Sequence, residues 1–340
     1  MKNHVNIPIF IPHLGCPNQC VFCNQKSITG KNDFDPDSVV SIIEDALSTI
    51  SSDTEAEIAF FGGSFTGIDY DLMRRLLKIA YSYVASGRVK SIRCSTRPDY
   101  IDEKILDTLN SYKVSVIELG LQSTDEDVLT ASKRGHSFSA EEKAVKMIKD
   151  RGFELVGQMM IGLPGSTLEK EIKTAEFICS SGADGARVYP TVVFRETELC
   201  SMAESGIYLP LSEDDAIFRT AEVLRVFYEH GIKVIRVGLC SSENLTSPDS
   251  YYAGPNHVAL GELCENQVFY SVLKDKLNSM RLSEGAKILS KVPVGALSKA
   301  IGQKKKNKLR LISEFSLSDL KFIEDASLFG YEVECEERKI

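Results

Sequence analysis

The chain has 340 residues, of which 43% are apolar, and a net charge of -8. This length suits one large α/β domain with an appendage, and the acidic balance argues against indiscriminate nucleic-acid binding, which needs concentrated Lys and Arg. No apolar run reaches the roughly 18 residues of a membrane span and no signal-type segment opens the chain, so we expect a cytoplasmic protein without membrane contact. The nine cysteines suit a reducing compartment rather than a disulfide framework.

Short apolar runs alternate with amphipathic segments from residue 5 to residue 190. Such runs are typical of buried parallel strands, and the segments between them are typical of helices. The predicted strands are 5–11, 56–61, 89–95, 114–119, 154–161 and 184–189. The predicted helices are 36–50, 69–86, 101–111, 124–132, 139–151 and 167–181. These units predict an α/β fold, a partial (β/α)6 barrel of the TIM type, with its chemistry on the loops after the strands.

Three cysteines follow the first predicted strand with the spacing C-x3-C-x2-C, namely Cys16, Cys20 and Cys23. Thiolates are soft ligands, and three on one loop can hold three irons of a [4Fe-4S] cluster while the fourth iron stays open. A structural zinc site with His13 as fourth ligand is the alternative. Zinc sites usually recruit a second ligand pair farther along the chain, so we favour the cluster.

Glycine and polar residues follow the later strands at the same predicted edge of the sheet. Gly62 and Gly63 allow the backbone to approach a ligand closely. Ser95 follows the third strand, and Gln122 and Gln158 lie at equivalent ends of the next two. A buried amide needs hydrogen-bond partners, so the two glutamines either face one bound nucleoside or are satisfied within the core. Further candidates, each with a structural alternative, are Tyr189, Arg195, Thr197, His136 and His257.

Beyond residue 190 the pattern loosens. We predict a helix at 212–230, a strand at 232–237 and a long helix at 258–281, which together form a lid or extension of the barrel. The domain division that follows is a barrel at 1–240, a helical extension at 241–284 and a small α+β module at 285–340.

The last block predicts a strand, a short helix, a tight turn, a helix and a second strand. The turn carries Gly302 and a basic run, Lys304, Lys305, Lys306 and Lys308. This order resembles half of a KH domain, whose GxxG loop clamps a nucleic-acid backbone, although Lys305 replaces the second glycine. The alternative is a solvated basic turn on a small C-terminal cap.

Several motifs in the first two thirds of the chain carry a more specific resemblance. They are CPNQCVFC, FFGGSFTG, STRPDYI, ELGLQS, KRGH, GQMMIGLPG and VYPTVVFRET. This set resembles the radical S-adenosylmethionine (SAM) domain of the elongator catalytic subunit, whose family modifies wobble uridines of tRNA. Oxygen-independent coproporphyrinogen dehydrogenase is a more distant relative on the same plan.

The resemblance implies two cofactors and a set of site residues. Cys16, Cys20 and Cys23 would ligate a catalytic [4Fe-4S] cluster whose open iron binds SAM. Phe22 would pack beside the adenine of SAM, and Gly62, Gly63 and Ser64 would meet its methionine moiety. The residues implied for the ribose and carboxylate sites are Ser95, Gln122, Arg134 and Gln158.

The resemblance also implies a reaction. The reduced cluster would cleave SAM to a 5′-deoxyadenosyl radical that modifies an RNA base, with tRNA as the expected partner and a flavodoxin or ferredoxin as electron donor. Two alternatives remain at this point: a radical SAM enzyme acting on a tetrapyrrole or another small metabolite, and a non-catalytic carrier of a cluster or haem. The sequence indicates no oligomeric state.

Overall fold

The structure is a computed structural model that describes residues 4–11, 14–16, 20–24, 34–51, 53–239 and 247–338. Its main sheet has seven strands, β1 (His4–Ile11), β2 (Glu55–Gly62), β3 (Ser91–Thr96), β4 (Val114–Gln122), β5 (Glu154–Ile161), β6 (Gly185–Pro190) and β8 (Lys233–Val237). They pair in parallel in that order. Because residues of both edge strands, β1 and β8, line one cavity, the sheet is curled into a partial barrel.

Helices cover the outside of this sheet. They are α1 (Val39–Thr49), α2 (Tyr70–Ala85), α3 (Glu103–Ser111), α4 (Glu126–Ala131), α5 (Phe138–Asp150), α6 (Leu168–Ser180), α7 (Glu198–Glu204), α8 (Glu213–Glu229) and α9 (Leu260–Asn278). Several begin where the sequence offers a capping side chain: Asp69, Asp102 and Ser137 each accept a hydrogen bond from a backbone amide three residues on. None of the described helices is both long and apolar enough to cross a membrane.

The predicted fold class is confirmed, and the sheet contains one strand more than the six we predicted. The apolar run at 232–237, which we placed in the extension, forms β8 and pairs in parallel with β6. Two short strands, β7 (Val193–Phe194) and β9 (Tyr251–Ala253), form a separate antiparallel pair that was not among the predicted strands.

The C-terminal block follows the predicted element order. It contains β10 (Lys287–Pro293), α10 (Leu297–Ile301), α11 (Lys306–Glu314), β11 (Asp319–Asp325) and β12 (Glu334–Glu337). In its sheet β10 is central, parallel to β11 and antiparallel to β12. This block packs on α9, since Phe269 and Leu273 of that helix share a core with Ile288 and Leu311. The predicted domain boundary at 240 lies outside the described residues.

Candidate active site

A cavity of about 530 Å3 opens at the carboxyl ends of the barrel strands. It receives residues from the cysteine loop and from the ends of most strands of the sheet, as expected when parallel strands direct their following loops to one edge. Ten of the eleven predicted site residues line it: Cys16, Cys20, Phe22, Cys23, Gly62, Gly63, Ser95, Gln122, Arg134 and Gln158.

Ser64 is the exception. Its side chain is fully buried behind the cavity wall, where its hydroxyl lies 2.8 Å from the Thr96 hydroxyl and accepts a hydrogen bond from the Arg97 amide at 3.3 Å. Ser64 therefore joins the ends of β2 and β3. Its hydroxyl does not face the cavity.

Glycines after β2 and in the cysteine loop allow the backbones of these two segments to pack closely against each other. A Cβ on Gly63 would collide with the carbonyl oxygen of Leu14, and a Cβ on Gly15 would collide with that of Ser64. The Gly63 amide donates to Ile11 at 2.8 Å, and the Ser64 amide donates to Leu14 at 3.1 Å. We predicted that these glycines let a ligand approach the backbone closely. In the structure they also let the segment after β2 approach the segment after β1, which fixes the position of the loop that carries Cys16.

Two guanidinium groups lie beside the Cys20 thiol. Arg134 Nη1 is 3.3 Å from Cys20 Sγ, and Arg97 Nη1 is 4.0 Å away. Burial raises the pKa of the Cys16 thiol, and the charges of Arg97 and Arg134 oppose that rise. Cationic neighbours favour the thiolate, which is the form that binds iron.

The three thiols face the same cavity. Within the described parts of the chain, no group of three His, Cys, Asp or Glu side chains is placed to hold a single metal ion. His13, the fourth ligand of the zinc alternative, lies outside the described residues.

Gln122 and Arg134 present polar atoms that the described protein does not satisfy. Gln122 ends β4 with a positive φ of 75°, and the missing side chain of Gly120 leaves room for its amide and for Arg134. Gln122 Oε1 and Arg134 Nε are buried without a hydrogen-bond partner among the described residues. A buried acceptor and donor left unpaired cost about 1–3 kcal/mol each, so this wall favours a polar ligand.

A chain of buried charges, which was not among the predicted site residues, crosses the inside of the barrel. Arg93 pairs with Glu57 at 2.8 Å and with Glu118 at 2.9 Å, and Arg187 pairs with Glu118 at 2.8 Å. We call Glu57, Arg93, Glu118 and Arg187 the ion-pair ladder. Burial acts to raise the pKa of Glu57, but the Ser91 hydrogen bond and the Arg93 charge lower it. The available signal was a single charged residue inside an otherwise apolar strand, as for Arg93, Glu118 and Arg187, because a charge buried in a sheet needs a partner.

Of the five further candidates, only Tyr189 lines the main cavity. Thr197 caps α7 through the Cys200 amide at 3.1 Å, and Arg195 donates to the Pro248 carbonyl at 2.9 Å. His257 accepts from the Ala259 amide at 3.0 Å beside a smaller cavity. His136 is paired with Glu141 inside the protein.

The fold and this cavity define a class of protein: a partial α/β barrel whose strand ends surround a loop of three cysteines. Two protein-family models match this chain. The radical SAM superfamily model matches residues 10–178, and the model of the radical SAM C-terminal domain matches residues 183–269. The chain belongs to the radical SAM superfamily of enzymes.

Curated relatives and a solved structure agree with this family. The tRNA uridine(34) acetyltransferase of Methanocaldococcus infernus is 27% identical over 243 residues, which are 59% of this chain and 46% of the relative. Elongator complex protein 3 of Mus musculus is 36% identical over 149 residues, 43% of this chain and 27% of the relative. This chain thus spans less than half the length of these relatives. The structure of Methanocaldococcus infernus Elp3 with an N-terminal deletion shares the fold, with a TM-score of 0.62, 20% identity and coverage of 85% of this chain and 71% of that one.

Proposed function

We propose that this protein is a radical SAM enzyme that modifies a base of tRNA. The observation that supports it best is the cavity that three thiols share with Gln122 and Arg134, whose side chains each carry a buried polar atom without a partner among the described residues. The superfamily implies a [4Fe-4S] cluster and SAM, and the residues present fit both. The three thiols would act as iron ligands. Gln122 Oε1 and Arg134 Nε, which have no partner among the described residues, would form hydrogen bonds to a polar cofactor.

When bound, the cluster and SAM supply one-electron chemistry that starts with reductive cleavage of the SAM sulfonium. Cys16, Cys20 and Cys23 would hold the cluster, while Arg97 and Arg134 donate towards the Cys20 sulfur and offset its negative charge. The free atoms of Gln122 and Arg134 would orient the polar groups of SAM.

The remaining predicted residues complete this cofactor pocket. Phe22 would cover the adenine, with Ser95 and Gln158 facing the ribose. Gly62 and Gly63 provide a wall without side chains. The ion-pair ladder beneath them fixes the inward side chains, because each charged group is held by at least one partner.

The RNA substrate is supported by the relatives, which carry tRNA uridine(34) acetyltransferase and Elongator complex protein 3 as names. The chain has a net charge of -8, but the basic turn at Lys304 and Lys305 is a locally positive surface. We also infer a flavodoxin or ferredoxin as electron donor, and a cytoplasmic location, where reducing conditions keep the cysteines as thiols.

The decisive experiment compares modified nucleosides in tRNA from the source organism with and without the gene, by mass spectrometry. We expect one modified nucleoside to disappear on deletion and to return with the wild-type gene, but not with Cys20→Ala. In parallel, the anaerobically reconstituted protein should bind about four irons and release 5′-deoxyadenosine from SAM. Unchanged tRNA nucleosides together with SAM cleavage would instead indicate a small-molecule substrate.

A further inference from the structure

Arg236 carries a positive charge that the described protein does not balance. It lies on β8 in register with Arg187 of β6. The ion-pair ladder contains two carboxylates and two guanidinium groups, so its charges balance without Arg236. The Nε of Arg236 donates to the Gly238 carbonyl at 2.9 Å, and no carboxylate among the described residues lies within ion-pair distance of it.

Arg236 lines the main cavity and also a second cavity of about 290 Å3. The two cavities share Pro190, Val192 and Leu239 as well, so they are neighbours with a common wall. Arg236 is half-buried, and an anion at this concave surface would gain a charge-assisted hydrogen bond from its guanidinium group. A ligand that occupied both cavities would therefore contact Arg236.

The second cavity is also lined by the N-terminus of α9, from Ala259 to Glu262. This helix has 19 residues, and Ala259 at its N-cap offers no side-chain hydrogen bond. The Ala259 and Leu260 amides are satisfied by His257. The amides of Gly261 and Glu262 have no hydrogen-bond partner in the part of the chain that the structure describes. Free N–H groups at a helix start and an arginine fork both select phosphate.

We propose that the second cavity is a phosphate subsite of the nucleic-acid substrate, with Arg236 as its specificity-determining residue. The inference rests on the proposed RNA substrate and extends it. The target nucleoside occupies the main cavity, and an adjacent backbone phosphate lies between Arg236 and the start of α9. The second cavity, of about 290 Å3, is at the lower limit for small-molecule sites, and its arginine and helix start, rather than its volume, favour a phosphate group.

The effect of removing the Glu262 charge can be compared with the effect of removing the Arg236 charge. Its exposed side chain lines the same cavity and brings a negative charge that opposes the anion. Removing that charge therefore strengthens phosphate binding, whereas removing the Arg236 charge weakens it. A merely structural role for this corner of the protein would not give opposite signs.

The test measures binding of an anticodon-loop oligoribonucleotide to the reconstituted protein at several salt concentrations. Arg236→Gln should weaken binding about ten-fold or more, as for the loss of a hydrogen bond to a charged group, and should reduce the salt slope by roughly 0.7, the value for one phosphate contact in a single strand. Arg236→Lys should restore part of the affinity, and Glu262→Gln should increase it. Lys233→Gln, on the outward face of the same strand, is the matched control and should bind as wild type.

A second arm locates the phosphate by replacing each linkage of the oligonucleotide in turn with an uncharged methylphosphonate. One position should lose affinity with wild type and lose nothing further with Arg236→Gln. Iron content and SAM binding verify that each variant is folded and loaded. If wild type binds RNA and Arg236→Gln binds equally well, the subsite is wrong and the RNA function stands. If wild type binds no RNA, the proposed function fails first and the subsite fails with it.

Discussion

His136 and Glu141 form a buried pair behind the wall that carries Arg134. Their Nε2 and Oε1 atoms are 2.9 Å apart, and the side chains are 1% and 0% exposed. Burial, together with the charges of Arg134 and Arg97, lowers the pKa of His136 to about 3. Burial raises the pKa of Glu141 to about 9. At neutral pH the pair is therefore a neutral imidazole beside a protonated carboxyl group, and His136 serves the structure rather than acid–base chemistry.

This pair predicts a specific pH dependence of stability. The raised pKa of Glu141 contributes stability that is complete below its ordinary pKa of 4.5 and is lost as the pH rises towards 9. The lowered pKa of His136 contributes stability that is lost as the pH falls from 6.5 towards 3. Glu141→Gln keeps a neutral hydrogen-bonding group but removes the alkaline loss, which is about 1.4 kcal/mol for each pH unit. Between pH 6.5 and 9 the melting temperature of wild type should therefore fall more steeply than that of Glu141→Gln. Parallel curves in a thermal shift experiment would show that Glu141 is ionised in the native protein.

At the scale of elements, the turn between α10 and α11 shows what local sequence could indicate. Gly302, which was predicted to lie in a tight turn, has a φ of 77°, and a Cβ there would lie 3.0 Å from the Asn307 amide nitrogen. Lys304 and Lys305 also adopt positive φ angles of 51° and 63°. Sequence alone does not predict this, because lysine rarely occupies the left-handed region.

The lysines of the turn are not equivalent. Lys306 lies 3.9 Å from Asp214, and Lys308 lies 3.6 Å from Asp319. Lys304 and Lys305 have no acidic partner among the described residues. These two side chains are therefore the ones available to an RNA phosphate, a narrower set than the four that the sequence indicated.

The double variant Lys304→Glu with Lys305→Glu should weaken tRNA binding and flatten its salt dependence. Each lost phosphate contact reduces counterion release, which lowers the slope of log K against log salt by roughly 0.7–0.9. Lys308→Gln is the control and should change the slope less, because Asp319 already offsets its charge. Affinity measured at four or more salt concentrations checks this, and an unchanged slope in the double variant would remove the nucleic-acid role of the turn.

At the scale of the molecule, the strands of the barrel could be predicted from the sequence more completely than the charged contacts inside it. Strands β1 to β6 appeared as apolar runs because both faces of a parallel sheet are covered. Strand β8 was predicted as an apolar run at 232–237 but assigned to the extension, because the alternation of apolar and amphipathic segments loosens beyond residue 190. The ion-pair ladder was missed because its partners, such as Glu57 and Arg93, are 36 residues apart in sequence, and only the sheet register brings them together.

Contacts between distant parts of the chain also bear on the predicted division at residue 284. Helix α9, which precedes that division, contributes side chains to two hydrophobic cores. Leu260, Cys264 and Val268 belong to the barrel core, whereas Phe269, Tyr270, Leu273 and Leu277 belong to the core of the C-terminal block. Tyr331 joins the two, with its ring 5.2 Å from both Tyr228 and Phe269. One continuous helix thus carries the apolar contacts of both parts, and we expect them to unfold together.

Leu273→Ala tests this expectation. The side chain is fully buried in the C-terminal core, so its truncation should cost about 2–5 kcal/mol. If α9 couples the two cores, calorimetry should show a single transition at a lower temperature, and the visible absorbance of the cluster should be lost at that same temperature. Leu309→Ala is the matched control, because Leu309 lies in the same block but is 59% exposed, and it should leave the transition almost unmoved. Two transitions in Leu273→Ala, with cluster absorbance following an unshifted upper one, would show instead that residues 285–340 unfold as an independent module.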